Sequence, residues 1–445
     1  MRYRKRIRDG FMTKQMHLVA YLKTGPTALH GGGWRHPEAT LGDIFEPSRY
    51  EHIARVLEEA CFDGCFFADL FGLYDIHNGG FDAYVRRGGQ VSYLDPMTVL
   101  PVMARATSRL GIGATLSTTL YHPYHLARSL LSLDVFSKGR VAWNIVTSAT
   151  QLEAQNFGLE ALPEKDARYD LADEVVEACL KLWKSWDADA FVHDKAAGIY
   201  ADPSKVHYAD YEGQWVRSRG PLSIPPSLQG HPVLMQAGSS ERGRVFAARW
   251  AEVVFAAQRG KPEMQAFYRD LKGRLGAFGR RSEDCAILVQ TTCIVGETDS
   301  IAAEKAAYVN ALATEELRLA TSSSGLGVDM AKYREGQSLA ELAGTQGMQG
   351  SVDLLQQVRA AEKLSVAEAA RALPDQIVGS PKTVADQLED LFLSDACDGF
   401  VLTPVSFPTS HEAFARAVVP ELQRRGLFRK AYTASTLRGH LRQPA

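Results

Sequence analysis

Two serines that follow a glycine between an apolar run and a helix-like run carry the clearest chemical suggestion in this chain. Residues 232–243, Pro-Val-Leu-Met-Gln-Ala-Gly-Ser-Ser-Glu-Arg-Gly, read as a short strand that passes through Gly238 into a helix beginning near Ser239. A helix start offers unpaired N–H groups and the positive end of its dipole to an anion. Gly238 would let the chain approach that anion closely, and Ser239 and Ser240 would add hydroxyl donors. The pattern therefore fits a phosphate seat, with Arg242 as possible support. A plain serine-capped helix after a strand is the commoner meaning of the same residues.

Three further polar residues stand at the ends of apolar runs: Asp69 after Phe66-Phe-Ala, Thr115 in Gly113-Ala-Thr-Leu-Ser117, and Asn144 in Val141-Ala-Trp-Asn-Ile-Val146. Each alone reads equally as a cap or a loop hydrogen-bonder. Together, at the ends of several different strands, they favour a shared pocket. His122-Pro-Tyr-His125 places two imidazoles three residues apart, and a metal pair is one reading. Metal hydrolase barrels usually carry His-x-His on the first strand, however, and the first strand here has only His17. A pocket-rim position for His122 or His125, and no metal, is the expectation. His30-Gly-Gly-Gly33 imitates an oxyanion-hole run, but the chain has no Gly-x-Ser-x-Gly elbow to accompany it. Gly111-Ile-Gly113 leads into strand residues and is no dinucleotide fingerprint.

The elements that must hold these residues alternate between strand and helix from residue 16 almost to residue 430, the signature of a parallel sheet wrapped by helices. The candidate strands are Met16–Leu22, Gly64–Ala68, Leu110–Leu116, Arg140–Ile145, Pro232–Gln236, Glu252–Ala256, Ala286–Val295 and Gly399–Leu402. Eight short runs, apolar on both faces, predict an α/β fold of the (β/α)8 TIM-barrel type. Pro47-Ser48-Arg-Tyr-Glu51 has capping-box spacing for a helix over 48–60, and Pro101 is expected to kink the helix over 97–106. Leu171, Val175, Cys179, Leu182 and Trp183 fall at helical spacing toward a core. Insertions at about 187–230 and 312–375 interrupt the rhythm. Both are expected at the C-terminal face, where lids belong, and the second is the lid candidate. Residues 1–14 read as a flexible basic tail, 15–430 as a single domain and 431–445 as a C-terminal tail.

With 445 residues, 45% of them hydrophobic and 23% charged, the chain has the composition of a globular protein with a sizeable core. A formal charge of −2 gives no footprint for nucleic acid, and no apolar run is long enough to span a membrane. Cys61, Cys65, Cys179, Cys285, Cys293 and Cys397 are spaced for neither a disulfide framework nor a zinc site. Reduced, buried cysteines in a cytoplasmic protein with a small-molecule partner are expected.

Phe66-Phe-Ala-Asp69, Asp95-Pro96, Leu110-Gly-Ile-Gly113, Tyr121-His-Pro-Tyr-His-Leu-Ala-Arg128, Gly139-Arg-Val-Ala-Trp-Asn-Ile-Val-Thr-Ser148, Asn156-Phe-Gly158, Asp166-Ala-Arg-Tyr169 and Gln236-Ala-Gly-Ser-Ser-Glu-Arg-Gly243 occur in unbroken order. Together they resemble the bacterial-luciferase-like flavin monooxygenases, within them the nitrilotriacetate, EDTA and dibenzothiophene-sulfone monooxygenase branch. The resemblance implies a luciferase-like TIM barrel that binds reduced FMN (FMNH2) from a separate NAD(P)H:flavin reductase. It implies use of O2 through a flavin C4a-peroxide to oxygenate a small organic substrate, with C–N or C–S cleavage. It also implies a homodimer or homotetramer without metal, nucleic acid or membrane.

On this likeness the flavin is held by Asp69, Thr115, the segment from Lys165 to Tyr169, and Ser240, beside Ser239 and Asn144. Relatives often carry His where Lys165 stands, so an acid–base role is not transferred there, and a solvated surface lysine is the plain alternative. No catalytic residue is assigned; His17, His122 and His125 are the nearest candidates. A deazaflavin (coenzyme F420) oxidoreductase on the same barrel, a flavin-binding protein without turnover, and a metal hydrolase are the rival readings.

Overall fold

The computed structural model describes residues 14–334 and 348–442. Of the expected basic tail over residues 1–14, all but Lys14 lies outside the described residues, and Lys14 pairs with Asp398 at 2.5 Å. In chain order the strands are β1 (His17–Leu22), β2 (Gly64–Phe67), β3 (Gly111–Ser117), β4 (Val141–Val146), β5 (Phe191–Asp194), β6 (Ile199–Ala201), β7 (Tyr211–Glu212), β8 (Arg217–Ser218), β9 (Val233–Gln236), β10 (Val253–Ala256), β11 (Ala286–Val295), β12 (Gln376–Gly379) and β13 (Gly399–Thr403). The sheet order is β10-β9-β4-β3-β2-β1-β13-β11, and β10 pairs back onto β11, closing eight parallel strands into a barrel. All eight expected strands are present. β11 is long enough to leave the ring, and its last residues carry β12 as a ninth strand.

Alternation along each strand sorts the side chains. Leu18, Ala20, Leu22, Cys65, Phe67, Ile112, Ala114, Trp143, Ile145, Leu234 and Val254 face the helices in the main core. Val19, Phe66, Ala142, Met235, Phe255, Leu288 and Val401 fill the lumen, where Phe66 stacks on Phe255 at 4.5 Å. The lumen is thus a packed apolar plug along most of its length, as a barrel of this size requires.

Local details depart from the sequence pattern in four places. The first barrel helix, Pro47–Glu59, starts at Pro47 with Glu46 as N-cap and no side-chain cap, so the Ser48–Glu51 capping box does not form. Proline at N1 removes the need for it, since its missing N–H is one of the unpaired groups. The helix Pro96–Ala106 runs on through Pro101, whose ring is on the exposed side. The 187–230 excursion follows the helix Lys165–Trp183 instead of preceding it, so it leads into β9 at the N-terminal end of the barrel, away from the catalytic face. There Ser227 and Gln229 bond Asp134 at the end of the helix Pro123–Phe136. Only the 312–375 insertion, which follows β11, reaches the C-terminal face.

The fourth departure is the C-terminus. Residues 431–442 form no tail but a stopper for the N-terminal end of the barrel, ending in the helix Leu437–Leu441. Leu437 joins the lumen cluster, and Arg438 pairs with Glu252 at 2.6 Å. Beside it, buried Asp63 accepts from Leu18 N at 2.8 Å and pairs with His17 Nδ1 at 2.8 Å and with Arg429. Burial alone would raise the Asp63 pKa, but Arg429 and His17 outweigh it and hold the carboxyl down to about 2. A depressed carboxylate stabilises the fold above its unfolded pKa, so this contribution is complete above about pH 4 and is lost as pH falls toward 2. We expect Asp63→Ala to cost about 3–5 kcal/mol at neutral pH, measured by urea unfolding, because it strands the Arg429 charge. A loss under about 1 kcal/mol would mean that the stopper is held by its apolar contacts alone.

Candidate active site at the barrel mouth

Toward the C-terminal ends of the strands the lumen turns from apolar to polar. Thr115 and Asn144 are register partners on β3 and β4, and Asn144 Nδ2 donates to Thr115 Oγ1 at 2.8 Å. Thr115 passes its own hydroxyl proton to the Phe67 carbonyl at 2.7 Å, tying the pair to the end of β2. Asn144 Oδ1 is then left buried with no hydrogen-bond partner, as is Thr403 Oγ1 at the end of β13. Unpaired buried acceptors and hydroxyls are rare, and here they sit at the face where barrels bind ligands.

Beyond β2, Asp69 accepts from Leu70 N at 2.9 Å, and Ser92 acts on it from nearby. Burial raises its pKa against the pull of Ser92 and Lys23. Lys23 follows β1 directly, is buried, and donates to the same Ser92 hydroxyl at 3.2 Å.

The second half of the site surrounds the turn after β9. Ser240 caps the helix Glu241–Trp250, its Oγ accepting from Gly243 N at 3.0 Å. The Tyr169 hydroxyl lies beside Ser240 and Gln236, and burial raises its pKa against their pull. A Cβ on Gly238 would come within 2.1 Å of Gln236 Nε2 and 2.6 Å of the Tyr169 hydroxyl; one on Gly243 would come within 2.8 Å of that same hydroxyl. The two glycines therefore make room for a tyrosine and an amide on the floor of the seat. Gln236 Oε1 is a further buried acceptor with no partner. Arg242, expected as phosphate support, is engaged elsewhere by Asp170 at 2.8 Å and Asp173 at 2.6 Å. Arg244 is nearer the turn, donating to the Ser239 carbonyl at 2.9 Å.

Lys165 is the first residue of the helix Lys165–Trp183, one turn before Tyr169, and is half-buried. Burial and the neighbouring Arg168 lower its pKa. Arg168 is itself buried, with Nη1 on the Ser148 carbonyl and Nε unpartnered.

The 312–375 insertion bridges the mouth. On one rim Asp329 accepts from Asn78 N at 3.0 Å and Glu316 pairs with Arg87 at 2.5 Å. On the other, the helix Gln349–Glu362 lays Asp353 against Ser239 Oγ at 3.4 Å, and Gln357 bonds Gln258 at 2.9 Å. A cleft of about 860 Å³ remains between this helix and the ends of β9 and β10, bordered by Ser239, Arg244, Gln258, Arg259 and Asp353.

The expected residues thus fall into a lumen group, Asp69, Thr115 and Asn144, and a seat group, Ser239, Ser240 and Tyr169, with Lys165 on the rim. Of the histidines, His17 lies away from this face, while His122 and His125 stand at the start of the helix after β3, on the rim. His17 is at the opposite end of the barrel on Asp63, because it opens β1 instead of ending it. His122 caps its helix by accepting from Tyr124 N at 3.2 Å, and exposed His125 stacks on Tyr121. Among the described residues no three His, Cys, Asp or Glu side chains converge as metal ligands. Lys23, Ser92 and Gln236 were not singled out as functional residues, and Arg168 was named only within the segment from Lys165 to Tyr169; for Lys23 and Gln236 the usable signal was position at a strand end.

A closed parallel barrel with a serine-capped helix start after one strand, a polar lumen mouth with unpaired hydrogen-bonding atoms, and a long insertion over both is the architecture of a barrel with its ligand site at the C-terminal face. Residues 26–395 match the family described as luciferase-like monooxygenase. The chain is 42% identical over 438 residues to a dibenzothiophene-sulfone monooxygenase of Rhodococcus erythropolis (strain XP), covering 96% of each. It is 37% identical over 441 residues to nitrilotriacetate monooxygenase component A of Aminobacter aminovorans, again covering 96% of each. The structure of a riboflavin lyase with modified FMN and riboflavin superposes with a TM-score of 0.89 at 34% identity, over 96% of each chain. A coenzyme F420-dependent tetrahydromethanopterin reductase from Methanopyrus kandleri, at 15% identity and a TM-score of 0.54, shares the fold alone. The chain belongs to the luciferase-like monooxygenases, which are flavin enzymes.

Gly238→Ala tests the seat. The added methyl must displace Gln236 and Tyr169, so FMN affinity is expected to fall about tenfold or more, read by flavin fluorescence, while the thermal midpoint changes little. An unchanged affinity would remove this pair from the seat.

Proposed function

We propose that this chain is the oxygenase component of a two-component system, taking FMNH2 from a separate NAD(P)H:flavin reductase and using O2 to oxygenate a small organic substrate. Cleavage of a C–S or C–N bond is the reaction class favoured by end-to-end likeness to a dibenzothiophene-sulfone and a nitrilotriacetate monooxygenase. The observation that carries the reading is the pairing of the turn after β9 with the unpaired buried atoms of the lumen mouth, since a phosphorylated flavin needs both.

Ser239, Ser240 and the first turn of the helix Glu241–Trp250 hold the phosphate, with Tyr169 and Gln236 beneath. Thr115 and Asn144 orient the ring from the lumen, and Asp69 borders it from the end of β2. Reduced FMN supplies the electrons that activate O2. Lys165, a cation at a helix N-terminus beside Arg168, is a site for negative charge and not a proton shuttle carried over from histidine. Asp353 must leave Ser239 when an anion arrives, because two negative groups cannot share one hydroxyl. The Asp353 side chain therefore turns away with flavin entry, and the helix Gln349–Glu362 keeps water from the mouth. Association into a homodimer or homotetramer belongs to the same reading.

Anaerobic titration with FMNH2, followed by rapid mixing with oxygenated buffer, tests the proposal. Saturable binding and a transient absorbance before oxidised flavin appears are expected. Absence of binding would overturn the flavin reading, and binding with immediate oxidation would overturn the oxygenase mechanism. Ser240→Asp places a fixed anion in the seat and should abolish FMNH2 binding in the same titration; wild-type affinity would move the phosphate elsewhere.

A further inference from the structure

Lys23 lies one residue past β1, on the lumen side of the alternation that includes Val19 and Tyr21. It is the one buried lysine among the described residues, at 8% exposure. Its ammonium donates to Ser92 Oγ at 3.2 Å and, among the described residues, forms no ion pair. Ser92 also favours the Asp69 carboxylate, lowering its pKa. A hydroxyl that accepts from an ammonium has its own proton free to donate, so Ser92 stands between Lys23 and Asp69 with that proton available to the carboxylate.

The other groups that face Lys23 are few. Asp69 and Glu153 act on it through space, from the loop after β2 and the helix Gln151–Asn156. Glu153 is already occupied by the Ala149 and Thr150 N–H groups and the Thr150 hydroxyl, each at 3.1 Å. Burial lowers the Lys23 pKa to about 8 despite both carboxylates. A buried ammonium with only a hydroxyl for partner is a cost to the free protein, since water would solvate it better. The arrangement is complete only when a further negative charge enters the mouth.

We propose that Lys23 is a binding residue for the negative ring of reduced flavin, aimed by Ser92 and Asp69, and that its charge makes the site prefer reduced over oxidised FMN. This rests on the flavin reading of the mouth. The phosphate is common to both redox states and the ring charge is not, so the two contributions separate by experiment. The lysine also follows directly from position: it ends β1 as Asp69 and Ser239 follow β2 and β9.

Anaerobic titration of the whole chain with FMNH2, and aerobic titration with oxidised FMN, are compared for wild type, Lys23→Met and Lys23→Arg. Wild type should lose FMNH2 affinity as pH rises through the Lys23 titration, and Lys23→Met should bind FMNH2 about tenfold more weakly at neutral pH with a flat profile. Lys23→Arg should keep its affinity at alkaline pH, and oxidised FMN should bind all three about equally.

Thermal melting of the flavin-free protein gives a readout that a packing role would not share. A lysine pKa below its unfolded value of 10.5 penalises the fold fully below about pH 8 and not at all above 10.5. Lys23→Met should therefore melt higher than wild type at neutral pH and lose that advantage as pH rises. Wild type that binds no FMNH2 would overturn the flavin reading itself. Wild type that binds, with Lys23→Met equal to it in affinity and pH profile or equally weakened for both redox states, would overturn the role of Lys23 and leave that reading standing.

Discussion

Closure of the sheet between β10 and β11 is the constraint on which the rest depends. Once Val253 through Ala256 pair with Ala286 through Val289, each barrel strand has a neighbour on both sides and the ring has no open edge. The lumen must then be filled by side chains, and the stacked Phe66 and Phe255 with their aliphatic neighbours fill it. Polar side chains can gather only at the two open ends. At one end Asp63, Arg429, His17 and the C-terminal helix consume their polarity in one another. At the other, Asn144, Gln236 and Thr403 keep atoms unspent. At the stopper end His440 Nδ1 is unpartnered, against several unspent atoms at the mouth, and that difference in degree separates a plug from a site.

That asymmetry explains how far the sequence could be read. The eight barrel strands were legible because each is a short run buried on both faces between turn residues, and their ends shifted by no more than about two residues. The placement of Asp69, Thr115, Asn144, Ser239 and Ser240 at strand ends facing the mouth was legible because polarity at the end of such a run is conspicuous. His17 misled because it stands at the start of β1, and a short strand does not announce which of its ends meets the ligand. The 187–230 excursion misled for a related reason. Its position depends on whether it precedes or follows its helix, and the separate short helix Gln151–Asn156 blurred that boundary. Lys23 stayed hidden since a lysine after an apolar run reads as a solvated turn, and only the covering loop with Ser92 buries it. The stopper at 431–442 has too few apolar residues to declare itself; its anchors are Arg438 on Glu252 and His440 on the Arg109 carbonyl.

The insertion over the mouth has its own small core of Leu326, Met330, Val352, Leu355, Val358 and Val366, separate from that of the barrel. Its hold on the rims is polar at Asp329, Glu316, Gln357 and Asp353 and apolar where buried Leu317 packs on Gly31. Exposed or half-exposed polar contacts of this kind are individually weak. A body with an internal core and mostly polar edges can move as a unit without unfolding, which is what a cover over a cofactor site has to do.

Parallel strands also decide the electrostatics of the mouth. Each barrel helix runs antiparallel to its strand, so the helices beginning at Pro123, Gln151, Lys165 and Glu241 all turn their N-termini toward the same face. Lys23, Lys165 and Arg168 add full charges to that positive end, and burial lowers the pKa of each. Cations at helix N-termini are placed against the dipole, and desolvation compounds the cost. Asp69 and Glu153 offset part of it, but Glu153 is already committed to the first turn of its own helix. A polyphenolic wall of Tyr21, Tyr74 and Tyr84, each held protonated by burial, adds no negative charge. The mouth is therefore built at an electrostatic expense that a bound anion would relieve. Fold stability and cofactor affinity are opposed at these positions.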